Sequence, residues 1–184
     1  RQEDVCLATY SPSSGLQRTT AVVTSVHRPQ PGERKVHGNA TFTGSYVVRV
    51  AELAQQRGEG VIILHSHPDA TGWQMMSRSD ADAESSYAYL VHELTGKPLV
   101  GMTLAAGDVA WSARAWSPAG SPSWAENVRV ISQQYNVTWN DALRPPAHKQ
   151  HTQARTVSAW GQRIQADLAR LRIPVVGAGS VGLD

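Results

Sequence analysis

The chain has 184 residues, of which 41% are hydrophobic and 17% are charged, and its formal net charge is +2. A chain of this length buries roughly two-thirds of its unfolded surface, which excludes a wholly disordered protein. No apolar run reaches the roughly 20 residues of a spanning helix, and lysine and arginine form no block, so we expect neither a membrane nor a nucleic-acid partner. The single cysteine, Cys6, cannot form an internal disulfide and favours a reducing compartment, which predicts a cytoplasmic location.

Strand and helix signals alternate along the chain and predict an α/β fold. The predicted elements are, in chain order, a strand at 5–10, a strand at 19–26, a loop or weak strand at 33–41, a helix at 45–57, a strand at 61–64, a helix at 77–94, strands at 99–105, 109–116 and 128–131, a linker at 140–152 and a helix at 157–171. A Ser/Pro/Gly cluster at 11–15 predicts a turn after the first strand. The apolar tetrad Val61–Leu64 is typical of a strand buried on both faces. Ser77, with Asp80 three residues later, is typical of a helix N-terminus.

Two histidines stand one residue apart at the end of the predicted buried strand. His65 and His67 are followed by Pro68, which favours a bend that lets both imidazoles converge. Asp80, in the first turn of the next predicted helix, supplies a third ligand. Two histidines and one carboxylate leave a fourth tetrahedral position open, which is the pattern of catalytic zinc. Such zinc lowers the pKa of water to about 7, and a nearby carboxylate must then take the proton and pass it on. We therefore expect one zinc ion per chain.

A second aspartate fits the same local spacing. Asp82 follows Ser79 as Asp80 follows Ser77. Two helical positions turn a side chain by about 200° around the axis, so the two aspartates cannot face one metal. Asp80 is preferred because its serine caps the helix. The alternative is that Asp80 merely complements the helix dipole.

The sequence His65-Ser66-His67-Pro68, followed by Ser77-Arg78-Ser79-Asp80, resembles the JAMM (MPN-plus or JAB) zinc metalloprotease motif. This family includes deubiquitinating isopeptidases and prokaryotic relatives that process ubiquitin-like proteins. The resemblance covers roughly residues 3–116 and implies a cytidine-deaminase-like mixed β-sheet flanked by helices. It also implies that both histidines and Asp80 hold zinc, and that Ser77 stabilises the tetrahedral oxyanion. The loop between Pro68 and Ser77 is about two residues longer than is usual in the family.

The family's general base is a glutamate that precedes an early apolar strand, and Glu3 resembles it by standing before Val5–Ala8. The resemblance thus implies that Glu3 acts as general base and then as general acid. The alternative is that Glu3 is a solvated residue without function. Three other glutamates precede the histidines: Glu33 in a turn, Glu52 in a helix and Glu59 in the turn before the metal strand.

The glycine pattern Gly177-x-Gly179-x-x-Gly182 follows a strand-like run and is typical of a nucleotide-binding turn. Together with the helix before it, this pattern resembles the opening of ThiF-type domains, which adenylate ubiquitin-like proteins. The resemblances imply a JAMM metalloprotease domain at 1–139, a linker and helix at 140–171, and the start of a ThiF-like domain at 172–184. That last segment is too short to bind ATP usefully by itself.

The two resemblances imply a bacterial system that acts on a ubiquitin-like protein. The expected activity is zinc-dependent hydrolysis of the bond at the C-terminus of that protein, in precursor processing or deconjugation. A ThiF-like activating domain is the expected neighbour in the same full-length chain. One alternative is a non-catalytic scaffold that binds a ubiquitin-like partner, and another is a zinc hydrolase of small molecules or cysteine-adduct peptides.

Two further residues are singled out by their sequence context. Trp73, in the loop after the histidines, is a candidate substrate contact, and Cys6 is expected to be a small core residue.

Overall fold

The computed structural model describes residues 2–16, 18–37, 39–133, 135–144 and 154–169. The chain divides into two compact units, 1–143 and 144–184. The predicted start of a ThiF-like domain at 172–184, with its glycine pattern, lies outside the described residues. All of the residues that resemble the metalloprotease motif lie in the first unit.

The predicted alternation of strands and helices is present in the described part of the chain. The elements are β1 (Val5–Ser14), β2 (Thr19–His27), β3 (Arg34–His37), β4 (Asn39–Phe42), α1 (Gly44–Arg57), β5 (Gly60–His67), α2 (Arg78–Thr95), β6 (Leu99–Ala105), β7 (Ala110–Trp116), β8 (Pro122–Trp124), β9 (Asn127–Ile131), β10 (Tyr135–Trp139) and α3 (Ala154–Ala169). None of the helices among these residues combines the length and apolarity that a membrane crossing requires.

Six strands form one mixed sheet in the order β2-β1-β5-β6-β7-β8. β5 and β6 run parallel, and the other neighbouring pairs run antiparallel. The hairpins β3–β4 and β9–β10 form two small separate sheets. The expectation of a mixed sheet is confirmed, and β5, which carries both histidines, lies in its interior.

Different elements cover the two faces of this sheet. On one face, α1 and α2 pack on a buried cluster that includes Leu7, Tyr46 and Ile63. On the other face, a second cluster includes Ile62 and Met102, and β9 packs against it. Ile63 belongs to the first cluster and Ile62 to the second. Because side chains alternate along a strand, the residues of β5 two and four positions after Ile63 also lie on the side of the helices.

The predicted turn at 11–15 is wrong, because β1 continues to Ser14. The pairing of β1 with β5 ends at Tyr10, whereas its pairing with β2 continues through Pro12 opposite Ala21. Proline is tolerated where a strand has an open edge, so Pro12 does not end the strand. A register shift at Thr9/Tyr10 interrupts the β1–β2 ladder just before the β1–β5 ladder ends at Tyr10.

Other segments also differ from the sequence prediction. The segment 33–41 forms the β3–β4 hairpin, and the strands β8 and β10 were not predicted. In the second unit, α3 begins at Ala154 and is interrupted at Gly161, whose φ of 85° is not helical. Residues 170 and 171 of the predicted helix lie outside the described part of the chain.

Candidate metal centre

β5 carries both histidines to the helix-covered face of the sheet. Val61, Ile62 and Ile63 are buried, and His65 and His67 follow as half-buried residues at the end of the strand. Ile63 belongs to the cluster under α1 and α2. Because alternate residues of a strand share a face, the two histidines lie on the side from which α2 approaches.

The N-terminal cap of α2 orients Asp80. The backbone N–H of Asp80 donates to Ser77 Oγ at 3.2 Å, and the backbone N–H of Ser77 donates to Asp80 Oδ2 at 3.0 Å. The Ser77 hydroxyl also donates to Asp80 Oδ2, at 2.7 Å. These bonds confirm the predicted capping box, and they hold the carboxylate in one orientation.

His65, His67 and Asp80 form a cluster whose ligand atoms all lie within 4.8 Å of one another. Asp80 Oδ2 lies 3.7 Å from His65 Nε2 and 3.9 Å from His67 Nε2. Bonds of about 2.0–2.1 Å place neighbouring ligands of tetrahedral zinc about 3.4 Å apart, so these two distances need to shorten by about 0.3 Å and about 0.5 Å. The donor set of two imidazole nitrogens and one carboxylate oxygen therefore fits zinc.

Asp82 is not part of this cluster. Its side chain is exposed. Among the residues that the structure describes, the group of possible metal ligands contains Asp80 but not Asp82. The rotation of about 200° between the two positions accounts for the difference.

Gln74, in the loop after the histidines, fixes the orientation of the His67 ring. Its side-chain N–H group donates to the carbonyls of Thr71 at 2.8 Å and Gly72 at 3.2 Å, so its Oε1 faces His67 Nδ1 at 3.2 Å. An amide oxygen only accepts, so His67 Nδ1 carries a proton and donates it. The lone pair of neutral His67 is then on Nε2, the nitrogen that faces Asp80. Sequence reasoning did not identify Gln74.

His65 lies deeper than His67. Burial lowers the pKa of His65 to about 4, Asp80 opposes this change, and the neighbouring Arg114 and His67 act in the same direction as burial. The imidazole is therefore neutral at physiological pH, which is the form that binds metals. Thr103 Oγ1 lies 3.3 Å from its Nε2, and Glu84 Oε1 lies 3.9 Å from its Nδ1.

Glu84 and Arg114 form a buried ion pair beneath the histidines. Glu84 is 2% exposed and accepts hydrogen bonds from Arg114 Nε at 2.8 Å, from Arg114 Nη2 and from Trp116 Nε1 at 2.6 Å. Burial raises the pKa of the Glu84 carboxyl, and the Arg114 and Trp116 donors oppose that rise. Three N–H donors aimed at one carboxyl group fit its ionised form. A Cβ atom at Gly101 would overlap this carboxylate, so the glycine makes room for it.

This ion pair was missed because its members are distant in sequence. Glu84 lies one helical turn after Asp80, and this spacing could have placed it on the same face of α2. Arg114 stands in a strand otherwise rich in alanine and tryptophan, an unusual place for an unpaired charge. Nothing local indicates that the two meet.

The turn between β6 and β7 anchors the loop that carries Gln74. The backbone N–H groups of Ala106 and Gly107 donate to the carbonyls of His67 at 3.0 Å and Ala70 at 2.9 Å. Asp108 Oδ2 accepts from the backbone N–H of Gly72 at 2.9 Å. These contacts fix the loop between His67 and Gln74.

Trp73, the candidate substrate contact, is half-buried and packs near Trp124, with ring centroids 6.2 Å apart. Its indole N–H is buried and has no hydrogen-bond partner in the described part of the chain. Contact with substrate stays a prediction.

The register of β1 on β5 places Glu3 near the histidines. Val5 pairs with His65, and the backbone N–H of Ser66 donates to the carbonyl of Asp4 at 3.0 Å. Continuing this antiparallel register by two residues, past the start of β1, sets Glu3 opposite His67 and on the same face as Val5. Glu3 is half-buried there. Its position is compatible with action on a molecule bound at the cluster.

Cys6 is half-buried, and burial raises the pKa of its thiol, with Asp4 adding to the rise. A raised pKa is the opposite of what a nucleophilic cysteine needs.

Ser77 is exposed beside Asp80, and its hydroxyl also lies 2.8 Å from that of Ser79. An oxyanion-stabilising role for Ser77 stays a prediction.

Comparison with known proteins identified no matching family model and no matching curated protein.

Proposed function

We propose that this protein is a zinc-dependent peptidase or isopeptidase that hydrolyses the bond at the C-terminus of a ubiquitin-like protein. The convergence of His65, His67 and Asp80 carries the proposal, because three ligands leave a tetrahedral metal an open position for chemistry. The substrate class, and a ThiF-like activating domain in the same full-length chain, come from the motif resemblance.

The residues around the cluster divide the work of hydrolysis. Zinc held by the three ligands supplies Lewis-acid chemistry and lowers the pKa of water to about 7. Glu3 takes the proton of the attacking water and returns it to the leaving amine. Ser77 donates a hydrogen bond to the oxygen of the scissile carbonyl as negative charge develops there. The register of β1 supports the role of Glu3. Ser77 is exposed beside Asp80, and its hydroxyl, which donates to Asp80 Oδ2 here, would turn toward the substrate to take its role.

Zinc content per chain, measured by elemental mass spectrometry, tests the site. We expect about one zinc in the wild type, its loss in His67→Ala and Asp80→Asn, and its retention in Asp82→Asn, which removes the same charge two residues away. Chelator-free wild type without zinc would refute the site.

Hydrolysis is tested on a panel of ubiquitin-like proteins that carry a C-terminal peptide extension. Cleavage by wild type and not by Asp80→Asn supports the proposal. Stable binding of one panel member without cleavage, by protein that holds zinc, favours the scaffold alternative. Cleavage of small amides alone favours the small-molecule hydrolase.

A further inference from the structure

The segment that carries Glu3 is joined to β5 through Asp4. The backbone N–H of Ser66 donates to the Asp4 carbonyl at 3.0 Å, and the backbone N–H of Asp4 donates to the side-chain Oγ of Ser66 at 3.0 Å. In a hydrogen-bonded pair of an antiparallel ladder, the two residues exchange both of their bonds through the backbone. Here the Ser66 hydroxyl takes the place of the Ser66 carbonyl in one of the two. The link that precedes β1 therefore depends on a side chain.

The side chain of Asp4 fixes the same residue from a second direction. Its Oδ1 accepts from the backbone N–H of Val5 at 2.7 Å and from Arg34 Nη1, which belongs to β3. The ion pair with Arg34 lies at the surface, where such pairs contribute at most about 1 kcal/mol to stability. These bonds therefore set the path of the chain before β1 and add little to the stability of the fold.

We infer that Ser66 is a positioning residue, which acts through Asp4 to hold Glu3 opposite His67. Side chains alternate along an extended chain, so fixing Asp4 also fixes the face of the sheet on which Glu3 lies. A general base must stay within about 2.6–3.2 Å of the group whose proton it takes, and a chain end that leaves β5 carries Glu3 out of that range. The purpose given to Ser66 rests on the proposed function, but the attachment of Asp4 can be measured without substrate or metal.

Amide hydrogen exchange, followed by NMR, tests the attachment. In the wild type we expect the Asp4 amide to exchange about tenfold or more slowly than it would in an unstructured chain, and in Ser66→Ala we expect this protection to be lost. Ser66→Thr keeps the hydroxyl and should restore it. Ser25→Ala removes a half-buried hydroxyl from the neighbouring strand β2 and is the matched control, which should exchange as the wild type does. An unprotected Asp4 amide in the wild type would overturn the inference without any variant.

Rates of hydrolysis of a substrate from the panel test the effect on Glu3. Ser66→Ala is expected to lower kcat by about 10–100-fold, because a misplacement of about 1 Å can cost that much. KM and zinc content should stay at the wild-type values, and Ser66→Thr should recover kcat. Added to Glu3→Gln, Ser66→Ala should cause no further loss, because the base that it positions is already gone. A merely structural role of Ser66 would lower the rate equally in both backgrounds, and that result would overturn the inference.

The two proposals fail in different ways. A protein in which Ser66 protects the Asp4 amide and which hydrolyses no member of the panel would refute the proposed function and leave the attachment of Asp4 standing. Hydrolysis by Ser66→Ala at the wild-type rate would overturn this inference and leave the proposed function standing.

Discussion

Val5 of β1 lies directly opposite His65 of β5 in the antiparallel ladder of the main sheet. This pairing joins the segment that carries Glu3 to the strand that carries both histidines. Continued outward, the same register sets Glu3 against His67. The proposed site is therefore assembled from two neighbouring strands and the first turn of α2.

Glu3→Gln is expected to lower the rate of hydrolysis by about 10²–10⁴-fold, because it removes a general base while keeping the side-chain shape. Zinc content should stay at the wild-type value, since Glu3 is not among the proposed ligands. Initial rates and elemental analysis measure both. Glu52→Gln, at an exposed position of α1, is the control and should be neutral in both. Unchanged hydrolysis by Glu3→Gln would reassign the base.

Gln74→Met is expected to weaken zinc binding by about 10–100-fold, because it removes the acceptor that orients His67 Nδ1. Competition with a chelator of known affinity measures the change. Gln55→Met makes the same substitution at an exposed position of α1 and should bind zinc as the wild type does. Equal affinity in Gln74→Met would show that the loop does not position His67.

Gly101→Ala is expected to destabilise the protein by about 1–3 kcal/mol, because the added methyl group overlaps the Glu84 carboxylate. Chemical denaturation measures the free energy of unfolding. Gly44→Ala is the matched control, since a Cβ there meets Tyr87 at an ordinary 3.6 Å. A Gly101→Ala variant as stable as the wild type would mean that Glu84 moves aside without cost.

The ion pair between Glu33 and Arg49 is expected to make the stability of the protein depend on pH. Arg49 donates to its carboxylate through Nε at 2.8 Å and Nη2 at 2.6 Å, and these bonds lower the pKa of Glu33 below its ordinary 4.5. As the solution is acidified, the unfolded chain binds a proton at this carboxylate before the folded protein does. The stabilisation from the Glu33–Arg49 pair is therefore complete above pH 4.5 and is lost as the pH falls through the pKa of Glu33 in the folded protein. The free energies of unfolding of wild type and Glu33→Gln, measured by chemical denaturation, should differ most near neutral pH and converge in acid. A difference between the two free energies that does not change with pH would contradict this prediction.

The parts of the site that sequence could predict are those with local signals. The apolar tetrad before His65 indicated a buried strand, and Ser77 with Asp80 indicated a capped helix; both elements are present. The serine that caps the helix favoured Asp80 over Asp82, and Asp80 is the one that lies within reach of both histidines. Each of these signals acts over a few residues, where backbone geometry leaves few alternatives.

The parts that sequence missed depend on contacts between distant segments. Glu84 meets Arg114 because β7 pairs with β6 beneath α2, and no local pattern encodes that pairing. The length of β1 was misjudged because Pro12 is a turn residue in most settings and is tolerated here beyond the end of the β1–β5 ladder. Tertiary pairing overrode local preference in both places.

The hydrogen bonds between Asp4 and Ser66 have a consequence for partial unfolding. The segment around Glu3 precedes β1 and is held to β5 by a few such bonds, whereas His65 and Asp80 are anchored by a buried strand and a capped helix. Segments with few buried contacts open at a lower free energy than core elements. In mild denaturant the proposed hydrolase should therefore pass through a form that retains zinc and has stopped hydrolysing its substrate. Its loss of turnover would then report the fraying of one strand end rather than the melting of the domain.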